Sequence, residues 1–296
     1  MSSASPAPRG GGAFAAIFVV LWSTGFIAAK FGLPYATPFA FLLARFCAVA
    51  LVMAAIALAT AAPWPSPRKA AHTMLVGALI QGGYLGGVFY AIAHGVSAGT
   101  SAMLVGLQPV VTVVLAMGWL GERVAARQWL GLAIGLAGVA LVVHHRIGAD
   151  SVTSVVALLI ALLAISIGTL YQKRYCADVD LRTGAVVQFT TSAALMVPLA
   201  LVAEPAHIEW TGSFVFALGW SVVVLSTGAN LLLFWLLRHG RAADVATLFF
   251  LVPAVTAVMA WALFGETLTL QAIAGMVLIA VGVALGRARR EPVPAR

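Results

Sequence analysis

A few polar side chains interrupt the apolar sequence at positions where they could bind a small solute. Gln81 and Tyr84 lie three residues apart and Ser226 and Asn230 four apart, so each pair shares one face of a helix. Such groups are expected to point into the protein, where they contact either a solute or a neighbouring helix. The candidate solute-binding residues are Trp22, Ser23, Gln81, Tyr84, Ser101, Gln108, Ser166, Ser226 and Asn230.

Two prolines and a group of glycines fall within the same apolar stretches. Pro109 and Pro253 lie near the middle of their runs, where proline removes a helical hydrogen bond and kinks the helix. These kinks either shape a binding site or serve the packing of the bundle alone. Gly82 and Gly86 form a small-xxx-small pair, which predicts close helix packing.

Charged residues are almost confined to the ends of the apolar runs. All nine acidic residues lie in loops or at run ends, which argues against a pump for multivalent cations and against proton coupling through a buried carboxylate. Arg45 is the exception, about two turns inside its run. Its side chain could extend outward to water, hold the helices together, or meet an anionic group of a solute.

One short motif suggests hydrolytic chemistry. The stretch Gly95–Gly99 fits G-x-S-x-G and follows His94, but the hydrolase motif needs a strand before its serine. Here the serine lies in a short turn between two apolar runs, so we predict that Ser97 caps the next helix and that the chain is not an enzyme. The histidines and cysteines show no metal-ligand spacing and no phosphate-binding loop is present, so neither metal nor cofactor is predicted.

The elements that carry these residues are predicted to be membrane-spanning helices. Of 296 residues, 62% are hydrophobic and only 9% charged, against about 25% in soluble domains. Runs of about twenty apolar residues fit helices that cross a bilayer rather than barrel strands. The predicted fold class is an all-α membrane protein of ten spans: 13–31, 38–60, 70–94, 97–119, 126–144, 153–173, 183–203, 214–238, 242–264 and 268–286.

Basic residues predict the orientation of these spans. With both termini in the cytoplasm, fourteen of the seventeen lysines and arginines fall in inner segments, and only Lys30 and Arg146 in outer ones. The net charge of +8 therefore reflects membrane topology. Because no basic soluble domain is present, nucleic acid is not an expected partner. The predicted location is the inner or plasma membrane, with the lipid bilayer as surroundings.

The chain contains an internal repeat. Residues 98–141 match residues 242–285 at a constant shift of 144, with sixteen identities in forty-four positions that include Pro109 with Pro253. Because five spans is an odd number, the two halves should cross the membrane in opposite directions, as in many transporters. The predicted units are an N-terminal tail (1–12), two repeats (13–147 and 148–287) and a C-terminal tail (288–296).

Several motifs resemble the EamA-type members of the drug/metabolite transporter superfamily. They are the run Leu21–Phe26, the pair Arg45-Phe46, and the duplicated order of a proline, a Gly-Glu pair and a glycine. The resemblance covers nearly the whole chain. It implies a ten-helix inverted-repeat carrier whose spans one, three, four, six, eight and nine surround a central cavity. Ser166 stands where Trp22 is found in the first repeat, so the lining should be asymmetric.

The leading hypothesis is a secondary-active or facilitative exporter of small metabolites, above all amino acids, which works by alternating access as a monomer or homodimer. Its neutral, polar and aromatic candidate residues suit a zwitterion better than a polyanion. The alternatives are an exporter of drugs or quaternary amines, a carrier of nucleotide sugars or sugar phosphates, and a passive pore.

Overall fold

The chain forms a bundle of helices. The computed structural model describes residues 11–108, 111–112, 114–115, 126–144, 151–202, 205–229, 232, 251–267 and 269–286. Its helices are α1 (Gly11–Gly32), α2 (Pro38–Ala59), α3 (Pro67–Ala93), α4 (Ala98–Val105), α5 (Ala126–His144), α6 (Ser151–Tyr175), α7 (Leu181–Val202), α8 (Gly212–Ala229), α9 (Val252–Phe264) and α10 (Leu270–Gly286). Within the described residues β-pairing is limited to one bridge, Ala36 with Ile208, so the all-α fold class is confirmed.

Six of these helices have the length and apolar character needed to cross a membrane. They are α1, α2, α3, α6, α7 and α8, with candidate spans of 18 to 27 residues. Large apolar side chains on their outer surface are open to the surroundings, such as Leu51 (72% exposed) and Val202 (87% exposed). Such exposure is unfavourable in water and favourable in lipid. The count of ten spans stays a prediction, because α4, α8 and α9 border residues outside the described ranges.

The two repeats run in opposite directions, as the packing of α2 against α7 demonstrates. The shift of 144 relates these two helices to each other. At one end the backbone N–H of Thr37 donates to the carbonyl of His207 at 3.0 Å. At the other end the hydroxyl of Thr183 donates to the carbonyl of Pro63 at 2.8 Å. The start of α2 therefore lies beside the end of α7, and the end of α2 lies beside the start of α7. The two equivalent helices are antiparallel, as an inverted repeat requires.

Glycines that are identical in the two repeats bring α5 and α10 into backbone contact. A Cβ added at Gly138 would lie 2.9 Å from the carbonyl oxygen of Gly275, and one at Gly282 would lie 2.5 Å from that of Gly131. Only glycine allows two helix backbones to approach this closely. The repeated glycines are therefore a packing device that joins the last helix of one repeat to the last helix of the other.

The remaining helices interleave the two repeats. Helix α1 of the first repeat packs against α8 and α9 of the second, and α6 of the second packs against α3 and α4 of the first. The indole N–H of Trp220 in α8 donates to the hydroxyl of Thr24 in α1 at 2.9 Å. Neither repeat therefore forms a separate bundle, and the helices of both surround a shared interior.

The close contact of α3 with α6 uses a different pair of glycines from the predicted one. A Cβ at Gly87 would lie 2.4 Å from the carbonyl oxygen of Ala157, and one at Gly83 would lie 3.0 Å from Ala164. At Gly82 and Gly86 the nearest side-chain atoms would be 3.6 and 4.0 Å away, which is ordinary contact. Close packing, which is predicted for the glycines of this span, therefore occurs at Gly83 and Gly87, one residue along the helix from the small-xxx-small pair Gly82 and Gly86.

Candidate functional site

Two helices that correspond in the two repeats depart from α-helical geometry at equivalent positions. Helix α3 contains a π-helical segment at Ala78–Leu85, and α8 contains one at Trp220–Ala229. The shift of 144 carries residues 78–85 onto 222–229, inside the second segment. A side-chain hydrogen bond in α8 follows the same five-residue spacing as a π-helix. The hydroxyl of Ser226 donates to the carbonyl of Ser221, five residues earlier, at 3.0 Å. π-Helical turns are rare and are common at functional sites.

A polar cluster connects these two segments. The Nη2 of Arg45 in α2 donates to the hydroxyl oxygen of Ser226 at 3.3 Å, and Arg45 also interacts electrostatically with Tyr84 in α3. All three residues are buried, with 6%, 6% and 9% of the surface of Arg45, Ser226 and Tyr84 exposed. The structure therefore brings two predicted site residues, Tyr84 and Ser226, into the neighbourhood of one arginine.

Arg45 points toward the middle of the bundle, not outward to water. It is the eighth residue of α2, about 10 Å from the start of that helix, whereas Ser226 lies about 20 Å from the start of α8. Both helices start at the end of the bundle where α1 finishes with Lys30, here called the Lys30 end. The guanidinium group therefore reaches deeper than its own Cα, and the expectation that it extends outward is wrong.

Two other predicted site residues form hydrogen bonds to the backbone. The hydroxyl of Ser23 in α1 donates to the carbonyl of Val19 at 2.7 Å and lies 3.3 Å from that of Val252 in α9. The hydroxyl of Ser166 donates to the carbonyl of Leu162 at 2.7 Å. Both serines are fully buried. Each hydroxyl is therefore bonded to a carbonyl of its own helix, and contact of either serine with a solute stays a prediction.

The other candidates differ in burial and in packing. Ser101 in α4 is fully buried, and its hydroxyl forms no hydrogen bond to any described residue. Trp22, Gln81 and Gln108 are half-buried, and the ring of Trp22 packs against Phe18 with centroids 5.4 Å apart. Asn230 lies outside the described residues.

The helix of α4 is interrupted beside a proline of the other repeat. α-Helix ends at Val105, Gly106 and Leu107 form a turn, and helix resumes at Gln108. A Cβ at Gly106 would lie 2.8 Å from the Cγ of Pro253, which is buried in the first turn of α9. Glycine therefore makes room for the ring. Pro109 lies outside the described residues, so the symmetric kink stays a prediction.

The solute-binding residues predicted from the sequence leave out one repeat-related pair of threonines, although Thr112 falls on one stripe with Ser101 and Gln108. The hydroxyls of Thr112 and Thr256 are both buried without a hydrogen-bond partner among the described residues. Each lies three residues after a repeated proline, and the two are identical at the shift of 144. The repeat was therefore a usable signal for both positions, had every polar identity in it been considered.

At the Lys30 end, a charged cluster joins residues of the two repeats. Lys30, in the last turn of α1, forms an ion pair with Glu266, which follows α9. The same carboxylate oxygen accepts the backbone N–H of Ala98 at 3.2 Å, and Lys30 also lies 5.0 Å from the centre of the Phe264 ring. A carboxylate at the N-terminus of α4 is favourable because that helix end carries partial positive charge. One acid therefore connects α1, α4 and α9.

At the other end of the bundle, the start of α3 is connected to the end of α6. Lys69 donates to Asp178 at 2.7 Å and to the carbonyl of Tyr175 at 2.9 Å, and this hydrogen bond lowers the pKa of Asp178. The Nδ1 of His72 lies 2.6 Å from the hydroxyl of Tyr171, and the His72 ring stacks on Tyr175. These two helices from different repeats are thus joined at the end where α3 begins.

The serine in the hydrolase-like motif is a helix cap. The hydroxyl of Ser97 accepts the backbone N–H of Thr100 at 3.0 Å, which confirms the predicted N-cap of α4. The Nδ1 of His94 is hydrogen-bonded to the carbonyl of Tyr90 at 2.8 Å, and its ring stacks on the Tyr90 ring.

Inverted repeats, membrane-length helices and a buried polar cluster define a multi-pass membrane protein of the transporter class. A model of the EamA-like transporter family matches residues 10–144 and again residues 152–286, one match for each repeat. The chain belongs to this family, which confirms the resemblance and fits the prediction that it is not an enzyme.

Relatives extend over most of the chain. The uncharacterized transporter YvbV of Bacillus subtilis is 29% identical over 281 residues, 91% of this chain and 89% of its own. The uncharacterized inner membrane transporter YedA of Escherichia coli K12 is 24% identical over 86% and 84%. A probable amino-acid metabolite efflux pump of Salmonella typhimurium is 26% identical over 93% and 94%. A protein crystal structure with 20% identity superimposes with a TM-score of 0.66, covering 95% of this chain and 99% of its own, and shares the fold.

Proposed function

We propose that this transporter exports small metabolites, with amino acids as the main solute class. The observation that carries the proposal is the pair of repeat-related π-helical segments, which bring the polar residues Tyr84 and Ser226 into the interior of the bundle. Inverted-repeat transporters bind solutes where equivalent helices are interrupted near the membrane midplane. The name of the Salmonella relative, an amino-acid metabolite efflux pump, supports the solute class.

The protein would act in the inner or plasma membrane with both termini in the cytoplasm, as the distribution of basic residues predicts. The inner-membrane relative of Escherichia coli supports this location. In this orientation the Lys30 end is the outer end. Reporter tags at both termini should therefore be protected in intact cells and become accessible only after the membrane is permeabilised.

Alternating access is supported by the cluster of Lys30, Glu266 and Ala98. The repeat gives each of these residues a counterpart, namely Arg174, Glu122 and Ala242, which the inverted orientation assigns to the inner end. Glu122 and Ala242 lie outside the described residues. We propose that the outer cluster holds that side of the protein closed.

Counterflow across proteoliposomes tests this function. Vesicles loaded in turn with an amino acid, a nucleotide sugar or a quaternary amine receive the same solute in labelled form outside. We expect saturable, transient accumulation with amino acids. Accumulation only with nucleotide sugars or quaternary amines contradicts the solute class, and flux that neither saturates nor shows counterflow indicates a pore.

Simultaneous substitution of Gln81, Gln108 and Asn230 by alanine should abolish counterflow while the protein still folds. These amides would be the main neutral hydrogen-bonding groups for the solute, and alanine leaves the solute polar groups unpaired. Folding is checked by the elution profile in detergent, and Gln271→Ala, at an exposed position of α10, is the control. Full counterflow by the triple variant would overturn this site assignment.

A further inference from the structure

Arg45 is a buried cation whose charge is not balanced within the described part of the protein. It is 6% exposed and forms no ion pair there, and its one hydrogen-bond acceptor is the neutral hydroxyl of Ser226. Its Nε has no hydrogen-bond partner among the residues that the structure describes. A guanidinium group carries five N–H donors, and a charge buried without an opposite charge is unfavourable. The Arg45 guanidinium group can therefore pair with an anion that binds beside it.

The geometry of the unused donors indicates the kind of anion. The Nε and Nη2 groups of an arginine lie on the same edge of the guanidinium plane, and a carboxylate accepts from two such donors at once. Within the described ranges, the Nε of Arg45 has no hydrogen-bond partner and its Nη2 has only a long contact of 3.3 Å with Ser226. Ser226 can release this contact without losing its bond to the carbonyl of Ser221. One edge of the guanidinium group can therefore bind a carboxylate.

The position of Arg45 fits a ligand better than a purely structural role. Its Nη2 contacts Ser226 of one π-helical segment, Tyr84 of the other segment lies within electrostatic range, and its side chain extends toward the middle of the bundle. If Arg45 served only to join helices, a neutral hydrogen-bond donor would do the same work without the cost of a buried charge. We propose that Arg45 binds the carboxylate of the transported solute, which rests on and deepens the function proposed above.

The test compares solutes that differ only at the carboxylate. Purified protein in proteoliposomes is assayed by counterflow with leucine, leucinamide and 3-methylbutylamine, and with 4-methyl-2-oxopentanoate, which keeps the carboxylate but lacks the amine. We expect leucine to exceed leucinamide by a factor of roughly 100 or more, because a site built for one hydrogen-bonding group rejects analogues that lack it. Equal exchange of leucine, leucinamide and 3-methylbutylamine overturns the proposal while transport itself stands.

Variants separate solute binding from helix packing. Arg45→Met should remove the preference for leucine over leucinamide, and Arg45→Lys should keep part of it because the charge remains and the paired donors do not. Ser226→Ala removes the neutral partner but should keep the preference, even where the rate falls. If Ser226→Ala loses the preference and Arg45→Met keeps it, the proposal is wrong.

The same panel distinguishes this proposal from the proposed function. Exchange of 4-methyl-2-oxopentanoate without exchange of any amino acid would refute amino acids as the solute class and support the carboxylate site. Exchange of amines alone would refute the carboxylate site. If Arg45→Met does not fold, the comparison of acids with amides in the unmodified protein still decides.

Discussion

Connecting positions 30 and 266 covalently is expected to stop transport completely. Lys30 and Glu266 belong to different repeats and form an ion pair at the Lys30 end. Alternating access requires that this end opens, so a cross-link here should trap the protein with the end closed. The experiment replaces Cys47 and Cys176 by alanine, introduces Lys30→Cys and Glu266→Cys, and treats proteoliposomes with a short bifunctional methanethiosulfonate reagent before counterflow is measured.

Two controls make this result specific. Each single-cysteine variant treated with the same reagent should retain the transport of its untreated form, and a reducing agent should restore transport to the cross-linked double variant. Cross-linked protein that still transports at the original rate would contradict a moving Lys30 end. Such a result would leave the amino-acid assignment unaffected, because that rests on the counterflow screen.

Replacing Gly282 by alanine is expected to lower the stability of the bundle by roughly 1–3 kcal/mol, the usual cost of overpacking. The added Cβ would lie 2.5 Å from the carbonyl oxygen of Gly131 and 2.6 Å from the backbone N of Gly135. Both neighbours are backbone atoms, so α5 and α10 must separate along their contact. In lipid, where packing drives helix association, little compensates for this loss.

The matched control is Gly219→Ala in α8. Apart from its chain neighbours and its own helix backbone, no atom of the described residues lies within 4 Å of a Cβ at that position, and alanine favours helix more than glycine does. Thermal unfolding in detergent should show a melting temperature several degrees lower for Gly282→Ala and an unchanged or higher one for Gly219→Ala. Equal melting temperatures for the two variants would mean that the glycine contact does not hold the repeats together.

Much of the architecture was predictable from the sequence because the signals are local or duplicated. A helix that crosses lipid must satisfy its backbone internally and be apolar over about twenty residues, so hydropathy alone located the six helices that are long enough to span the membrane. The duplicated glycines, such as Gly131 and Gly275, marked the repeat in the sequence, and the structure gives them a direct role in packing. Ser97 was predictable as a cap because capping depends on its immediate neighbours.

The candidate site was predicted only in part. Tyr84 and Ser226 were chosen for their polarity, and the structure places both beside Arg45. Which face of α3 meets α6 depends on a rotation of one residue, and apolar periodicity is weak when lipid and protein interior are equally apolar. This is why the sequence does not distinguish Gly82 from Gly83, which makes the contact with α6.

The sequence by itself determined that the chain spans a membrane as helices, that it contains two related halves, and which few residues are polar among apolar ones. Only the tertiary structure decided that α1 packs on the other repeat, that α3 and α8 contain π-helical segments, and that Arg45 reaches inward to Ser226. The physical reason is distance along the chain. Composition and repeats can be read residue by residue, whereas contacts such as Lys30 with Glu266 join groups 236 positions apart and exist only after the helices have packed.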